Sequence, residues 1–114
     1  MLTVWGLKSC DTCKKALKWL TEEGIAFESK DVRADSVPAD ELTRWVDAAG
    51  WEVLVNKSST TWRGLSDGEK DGLDAATAKG LLAEHPTLIK RPVFLKGDQV
   101  IVGFRDPQKQ ALKA

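Results

Sequence analysis

The sequence has two cysteines, one histidine, no surplus of charge of either sign and no long apolar run. Each shortage excludes something. No stretch approaches the ~20 apolar residues of a membrane-spanning helix. The start, Met1-Leu2-Thr3-Val4-Trp5-Gly6, lacks the basic opening and apolar run of a signal peptide. Seventeen Lys and Arg balance seventeen Asp and Glu, whereas a chain devoted to gripping a nucleic-acid backbone gains from a basic surplus. Neither internal repeats nor low-complexity tracts occur. These absences lead us to expect a cytoplasmic protein in a reducing compartment, without direct nucleic-acid or membrane partners, and nothing demands more than a monomer. There, a lone cysteine pair points to catalysis or metal binding rather than to a structural disulfide. A metal site needs about four ligands, and His85 is the only other soft donor, so zinc is set aside.

What remains is an ordinary globular composition. The 114 residues are 42% hydrophobic and 30% charged. One domain of this size buries roughly 65% of its unfolded surface and needs no staple.

Leu2 to Gly6 suits a buried strand. A helix begins near Cys10 or Asp11, with Cys13, Ala16, Leu17 and Leu20 on one stripe and Gly24 as its stop. Ile25-Ala26-Phe27 and Val32 suggest a second strand before the Arg33-Ala34-Asp35-Ser36 loop. This third of the chain reads as βαβ with a parallel pair. Pro38 fits the first turn of another helix, Asp40 and Glu41 complement its dipole, and Leu42, Trp45, Val46 and Ala49 form its stripe up to Gly50. Trp51 to Val55 is short and apolar, compatible with strand, turn or helix. Asp74 caps a helix carrying Ala78, Leu81 and Leu82, stopped by Pro86. Pro92 to Leu95, Gly97-Asp98 and Val100 to Val102 read as a hairpin, and Asp106-Pro107 opens a short final helix. The expectation is one α/β domain, 1–114, with a helical subdomain inserted at about 36–86.

Cys10-Asp11-Thr12-Cys13 is a C-x-x-C at a strand-to-helix junction. Free N–H groups and the dipole of the first helical turn favour a thiolate there. Lys14 and Lys15 add positive charge, and Asp11 opposes it. Cys10, at the cap, is the candidate nucleophile. Cys13, on the buried stripe, is a resolving thiol or a small core residue.

Three segments then carry a pattern: Leu7 to Ala16 around the cysteines, Thr60-Thr61-Trp62-Arg63, and Ile89-Lys90-Arg91-Pro92-Val93. In that order they resemble the arsenate reductase (ArsC) family, and its YffB and Spx-like branch most of all. The resemblance implies a thioredoxin-like (glutaredoxin-like) fold with a helical insertion, Cys10 as redox-active thiol, and Pro92 as a cis-proline beside it, with Thr12 also structural at the site. It implies anion-binding arginines at Arg63 and Arg91, and a third near Gly103-Phe104-Arg105-Asp106, where Arg105 is the candidate. Guanidiniums around a thiolate would lower its pKa and fork onto a tetrahedral or carboxylate anion.

The function expected is a glutathione-linked thiol–disulfide oxidoreductase, with no bound cofactor and glutathione as reductant. Its substrate would be a glutathione mixed disulfide or a protein disulfide. An arsenate reductase is one alternative; a Spx-like redox switch that binds RNA polymerase is another. His85 reads as a capping or surface residue. The five tryptophans read as packing, with Trp62 singled out by its motif. Lys14, Lys15 and Lys18 form a solvated basic face that could attract an anionic thiol.

Overall fold

A computed structural model describes residues 2–114. The chain divides into two compact units, one built from the residues up to Asp35 together with Arg91–Ala114, the other from Ser36–Lys90.

The first unit is a four-stranded sheet flanked by helices. Strand β1 (Leu2–Gly6) is followed by helix α1 (Asp11–Glu22) and strand β2 (Phe27–Asp31). Later come β3 (Val93–Lys96), β4 (Gln99–Val102) and a final helix, Asp106–Lys113. The sheet order is β2-β1-β3-β4. β1 runs parallel to β2, with Leu2 opposite Phe27 and Gly6 opposite Asp31. It is antiparallel to β3, with Trp5 opposite Val93.

The second strand differs from its sequence reading. Ile25 and Ala26 precede it, Val32 follows it, and its centre is the polar Glu28-Ser29-Lys30. β2 is an edge strand whose middle is exposed, so its polar residues face water and the apolar residues mark only its two ends. The hairpin turns on Gly97 and Asp98, between the paired Lys96 and Gln99. Gly97 supplies the left-handed conformation, φ +59°, that such a two-residue loop requires. α1 stops where Gly24, at φ +70°, accepts a backbone angle costly to any residue with a Cβ.

Leu2, Val4, Ala16, Leu20, Phe94, Ile101 and Leu112 form the core of this unit. Leu17 is only half-buried at its margin. Trp19 meets Phe104 edge-on, ring centres 5.7 Å apart, and the Lys113–Glu23 pair, at 3.7 Å, ties the last helix to the end of α1.

The second unit is helical: α2 (Ala39–Ala49), α3 (Trp51–Leu54), α4 (Thr60–Arg63), α5 (Asp67–Lys70) and α6 (Ala75–Glu84), then a 3₁₀ turn at Pro86–Leu88. The final helix of the first unit is therefore α7. Pro38 stands one position before α2, as its N-cap, rather than in its first turn. Trp51 to Val55 resolves into a turn of helix, after which Val55 bridges Ile89. Asp74 caps α6: its Oδ1 accepts the Thr77 N–H while Thr77 Oγ1 accepts the Asp74 N–H, both at 2.9 Å. The unit reaches Lys90 because the Asn56 N–H donates to Leu88 O at 3.0 Å and the Lys90 N–H to Leu54 O at 2.7 Å. Among the described residues, no helix is long and apolar enough to cross a membrane.

Candidate active site

Both cysteines are free thiols in the first unit. β1 ends at Gly6, and the chain turns through Leu7 to Ser9, closed by a 3.0 Å bond from the Cys10 N–H to Leu7 O. Cys10 is the N-cap of α1, half-buried, with extended backbone (φ −86°, ψ 118°). Its carbonyl accepts the Lys14 N–H at 3.1 Å, so the cap is seated on the helix through its backbone. Cys13 is one turn inside α1 and only 4% exposed.

The two thiols titrate in opposite directions. Burial pushes Cys10 up, but the Cys13 N–H, the Cys13 thiol and the Arg91 guanidinium, through both hydrogen bonding and charge, outweigh it and leave the thiol below its ordinary value. Cys13 is pushed up to about 11, chiefly by burial and further by the neighbouring Cys10 sulfur. The pair can therefore hold a thiolate at Cys10 beside a proton donor at Cys13, which is the arrangement a nucleophile and its resolving partner need.

Arg91 is half-buried, and the Arg91–Pro92 peptide is cis, with Pro92 buried immediately before β3. Lys14 and Lys15, expected to add positive charge, are exposed on α1; among the main influences on Cys10 the cation is Arg91. Thr12 is exposed in the first turn of α1. Arg105 is exposed at the N-cap of α7, where its N–H donates to Gln108 Oε1 at 3.0 Å. Arg63 belongs to the second unit, exposed at the end of α4, with Nη2 donating to Ser58 O at 3.3 Å. Of the three arginines, Arg91 stands among the main influences on both thiols. Trp62 is half-buried between two ammonium groups, Lys57 at 5.6 Å and Lys70 at 5.4 Å from its ring centre. His85 caps the end of α6, its Nε2 3.8 Å from Glu69 Oε2. Among the described residues, no group of three or more His, Cys, Asp or Glu converges as a metal site would require.

Two residues of the site escaped the sequence reading. Asp31 is a buried carboxylate, 8% exposed, at the end of β2. Its Oδ2 accepts the Lys8 N–H at 3.1 Å, and its Oδ1 accepts the Arg33 and Ala34 N–H groups at 2.8 and 2.9 Å. Burial alone would raise its pKa; these donors, with the charge of Lys8, bring it below the ordinary carboxylate value. It fixes the turn that delivers Cys10. Gly6 is the other: a Cβ there would stand 3.0 Å from Cys13 Sγ and 3.2 Å from Cys13 Cβ. An acidic residue ending an edge strand and a glycine ending a central one were the only sequence signals of either.

The model of the ArsC family matches residues 5–112. An uncharacterised protein of Haemophilus influenzae is 49% identical over 111 residues, 97% of each chain. The global transcriptional regulator Spx of Streptococcus agalactiae is 28% identical, covering 99% of this chain and 90% of its own. Among solved structures, a YffB protein superposes with TM-score 0.94 at 37% identity over the whole of both chains. The fold is thioredoxin-like with a helical insertion, and the match spans the C-x-x-C, the Thr60–Arg63 helix and the cis-Pro92 segment alike. By sequence and by structure, the chain belongs to the ArsC family.

Proposed function

We propose that this protein is a cytoplasmic, glutathione-linked thiol–disulfide oxidoreductase, a monomer with a single thioredoxin-like domain into which a helical segment is inserted. Its membership of the ArsC family supports the coarser class, a thiol oxidoreductase or a Spx-like protein. The observation that carries the finer reading is the opposed titration of the two thiols, Cys10 lowered beside Arg91 and Cys13 raised to about 11.

In this reading the Cys10 thiolate attacks the glutathionyl sulfur of a mixed disulfide. The S–S bond breaks, the substrate leaves as a thiolate and takes up a proton, and glutathione is bound to Cys10. Cys13, on losing its proton, attacks the Cys10 sulfur; glutathione leaves as a thiol and a Cys10–Cys13 disulfide forms. Two further glutathione molecules restore the dithiol and end as glutathione disulfide, so each turnover moves two electrons. Arg91 stabilises the attacking thiolate, and in this reading its guanidinium pairs with an anionic group of the substrate. Arg63 and Arg105 carry the same expectation from their motifs alone, and Thr12 and Pro92 shape the site around Cys10.

The test is turnover of a glutathione mixed disulfide, coupled through glutathione reductase to NADPH consumption. Cys10→Ser abolishes it, and Cys13→Ser leaves a glutathione-dependent remnant. Full activity in Cys10→Ser, or no turnover in the native protein, overturns the proposal. Arsenate supplied in place of the disulfide, with glutaredoxin, tests the arsenate reductase reading. The second reading, a redox regulator, is favoured by the 28% identity to a Spx regulator. It requires that RNA polymerase bind the dithiol and disulfide forms unequally.

A further inference from the structure

Beside α1 and the end of β2 lies a cavity of ≈ 260 Å³. Its floor is apolar, made by Val4, Leu7 and Leu17, with Gly6 and Cys13 on one side. Its rim carries Lys8, Lys14 and Lys30, all exposed.

Two carboxylates also line it, Asp31 and Asp35. Asp31 is engaged by three backbone N–H groups, and Asp35 Oδ2 accepts the Asp31 N–H at 2.8 Å. Among the described residues, no carboxylate lies within ion-pair distance of Lys8, Lys14 or Lys30. Lys8 reaches Asp31 only as a more distant charge, and Lys30 rests on the Trp5 ring, 5.4 Å from its centre. Hydrogen bonding leaves a carboxylate its formal charge, so the lining sets three lysines against two aspartates, one positive charge in surplus, and none of the three lysines is held in a close ion pair.

We infer that this cavity binds a small organic monocarboxylate with an apolar chain: the chain covers Leu7, Leu17 and the wall made by Cys13, and the carboxylate meets the lysine rim. Glutathione is larger and polar along its length, so the ligand class differs from the thiol substrate proposed above. A ligand here touches Cys13 and so covers one approach to the buried thiol.

The test is a titration of the reduced protein with sodium hexanoate at constant ionic strength, followed by amide ¹H–¹⁵N shifts. Hexanoate should produce saturable shifts at Gly6, Lys8, Lys14 and Lys30, with a dissociation constant of about 1 mM or tighter. Hexanamide, its neutral isostere, should bind about tenfold more weakly. The Lys8→Gln/Lys14→Gln variant, changed only at exposed positions, should show the same loss for hexanoate. Shifts that never saturate, shifts centred on Arg91 and Cys10, or equal binding of hexanamide overturn the inference. No redox chemistry enters the measurement, so its outcome is independent of whether the reductase reading holds.

Discussion

Lys8 and Asp31 are 23 residues apart in the chain and are joined by a 3.1 Å hydrogen bond from the Lys8 N–H to Asp31 Oδ2. The contact ties the loop before Cys10 to the end of the edge strand. Asp31→Ala leaves three N–H groups without their acceptor and should cost about 3 kcal/mol, measured by urea unfolding at about pH 7. The pH dependence has a definite sign. The folded-state pKa is lowered, so the contribution is present above the unfolded value of ~3.9 and is lost as pH falls through the folded value. The stability of Asp31→Asn should therefore change less than that of the native protein between about pH 5 and pH 2.

Arg91 acts on the Cys10 sulfur by hydrogen bonding and by charge. In Arg91→Ala, the pH midpoint of Cys10 alkylation by iodoacetamide should rise by about one unit. Arg91→Lys should recover the charge but not the fork, and so lie between the two. An unchanged midpoint in the alanine variant would remove Arg91 from the thiolate's environment.

Cys13 gives the opposite dependence. Its folded-state pKa of about 11 lies above the unfolded value, so the folded protein holds a proton that the unfolded chain releases. That contribution is complete below about pH 8.5 and is lost as pH rises towards 11. It amounts to up to about 3 kcal/mol. Cys13→Ala should flatten the alkaline fall in stability relative to the native chain, as read by thermal unfolding across that range. Equal slopes would mean that the thiol titrates at its ordinary value.

Gly6 and Cys13 test packing beside the thiols. The Cβ of Gly6→Ala would meet Cys13 Sγ at 3.0 Å, and forcing an extra methyl into such a contact costs about 1–3 kcal/mol. Removing the sulfur should relieve part of that strain. In a double-mutant cycle, Gly6→Ala with Cys13→Ala should therefore cost less than the two single changes added together. Strict additivity would mean that the backbone at Gly6 shifts away without pressing on the sulfur.

Much of the fold could be read from pattern. The stripe of Cys13, Ala16 and Leu20, the Gly24 stop and the Gly97-Asp98 turn are local signals, each with one physical solution. β2 was misplaced because apolar content marks a strand only where water is excluded, and the middle of this strand lies at the sheet edge. The short helices α4 and α5 were missed as separate elements because each spans four residues, too few for a 3.6-residue period to show. At the site, the C-x-x-C announced itself by spacing and the Arg91-Pro92 pair by family motif. Asp31 and Gly6 were silent: one matters through backbone amides remote in the chain, the other through the absence of a side chain. Only assembled coordinates reveal either kind of role.

The sheet order β2-β1-β3-β4 places the first strand between its immediate successor in the sheet and one that comes near the end of the chain, Trp5 facing Val93. Ring closure over so much chain is slow and entropically expensive. On a ribosome, Cys10 and Cys13 emerge long before Arg91 does. Until β3 arrives, the nascent chain displays two thiols with ordinary acidity and neither the guanidinium nor the completed sheet that distinguishes them. The surroundings that set the two thiols apart are thus acquired late, on completion of the sheet rather than on synthesis of the cysteines, and an arrested chain ending before Arg91 would carry the motif without its guanidinium.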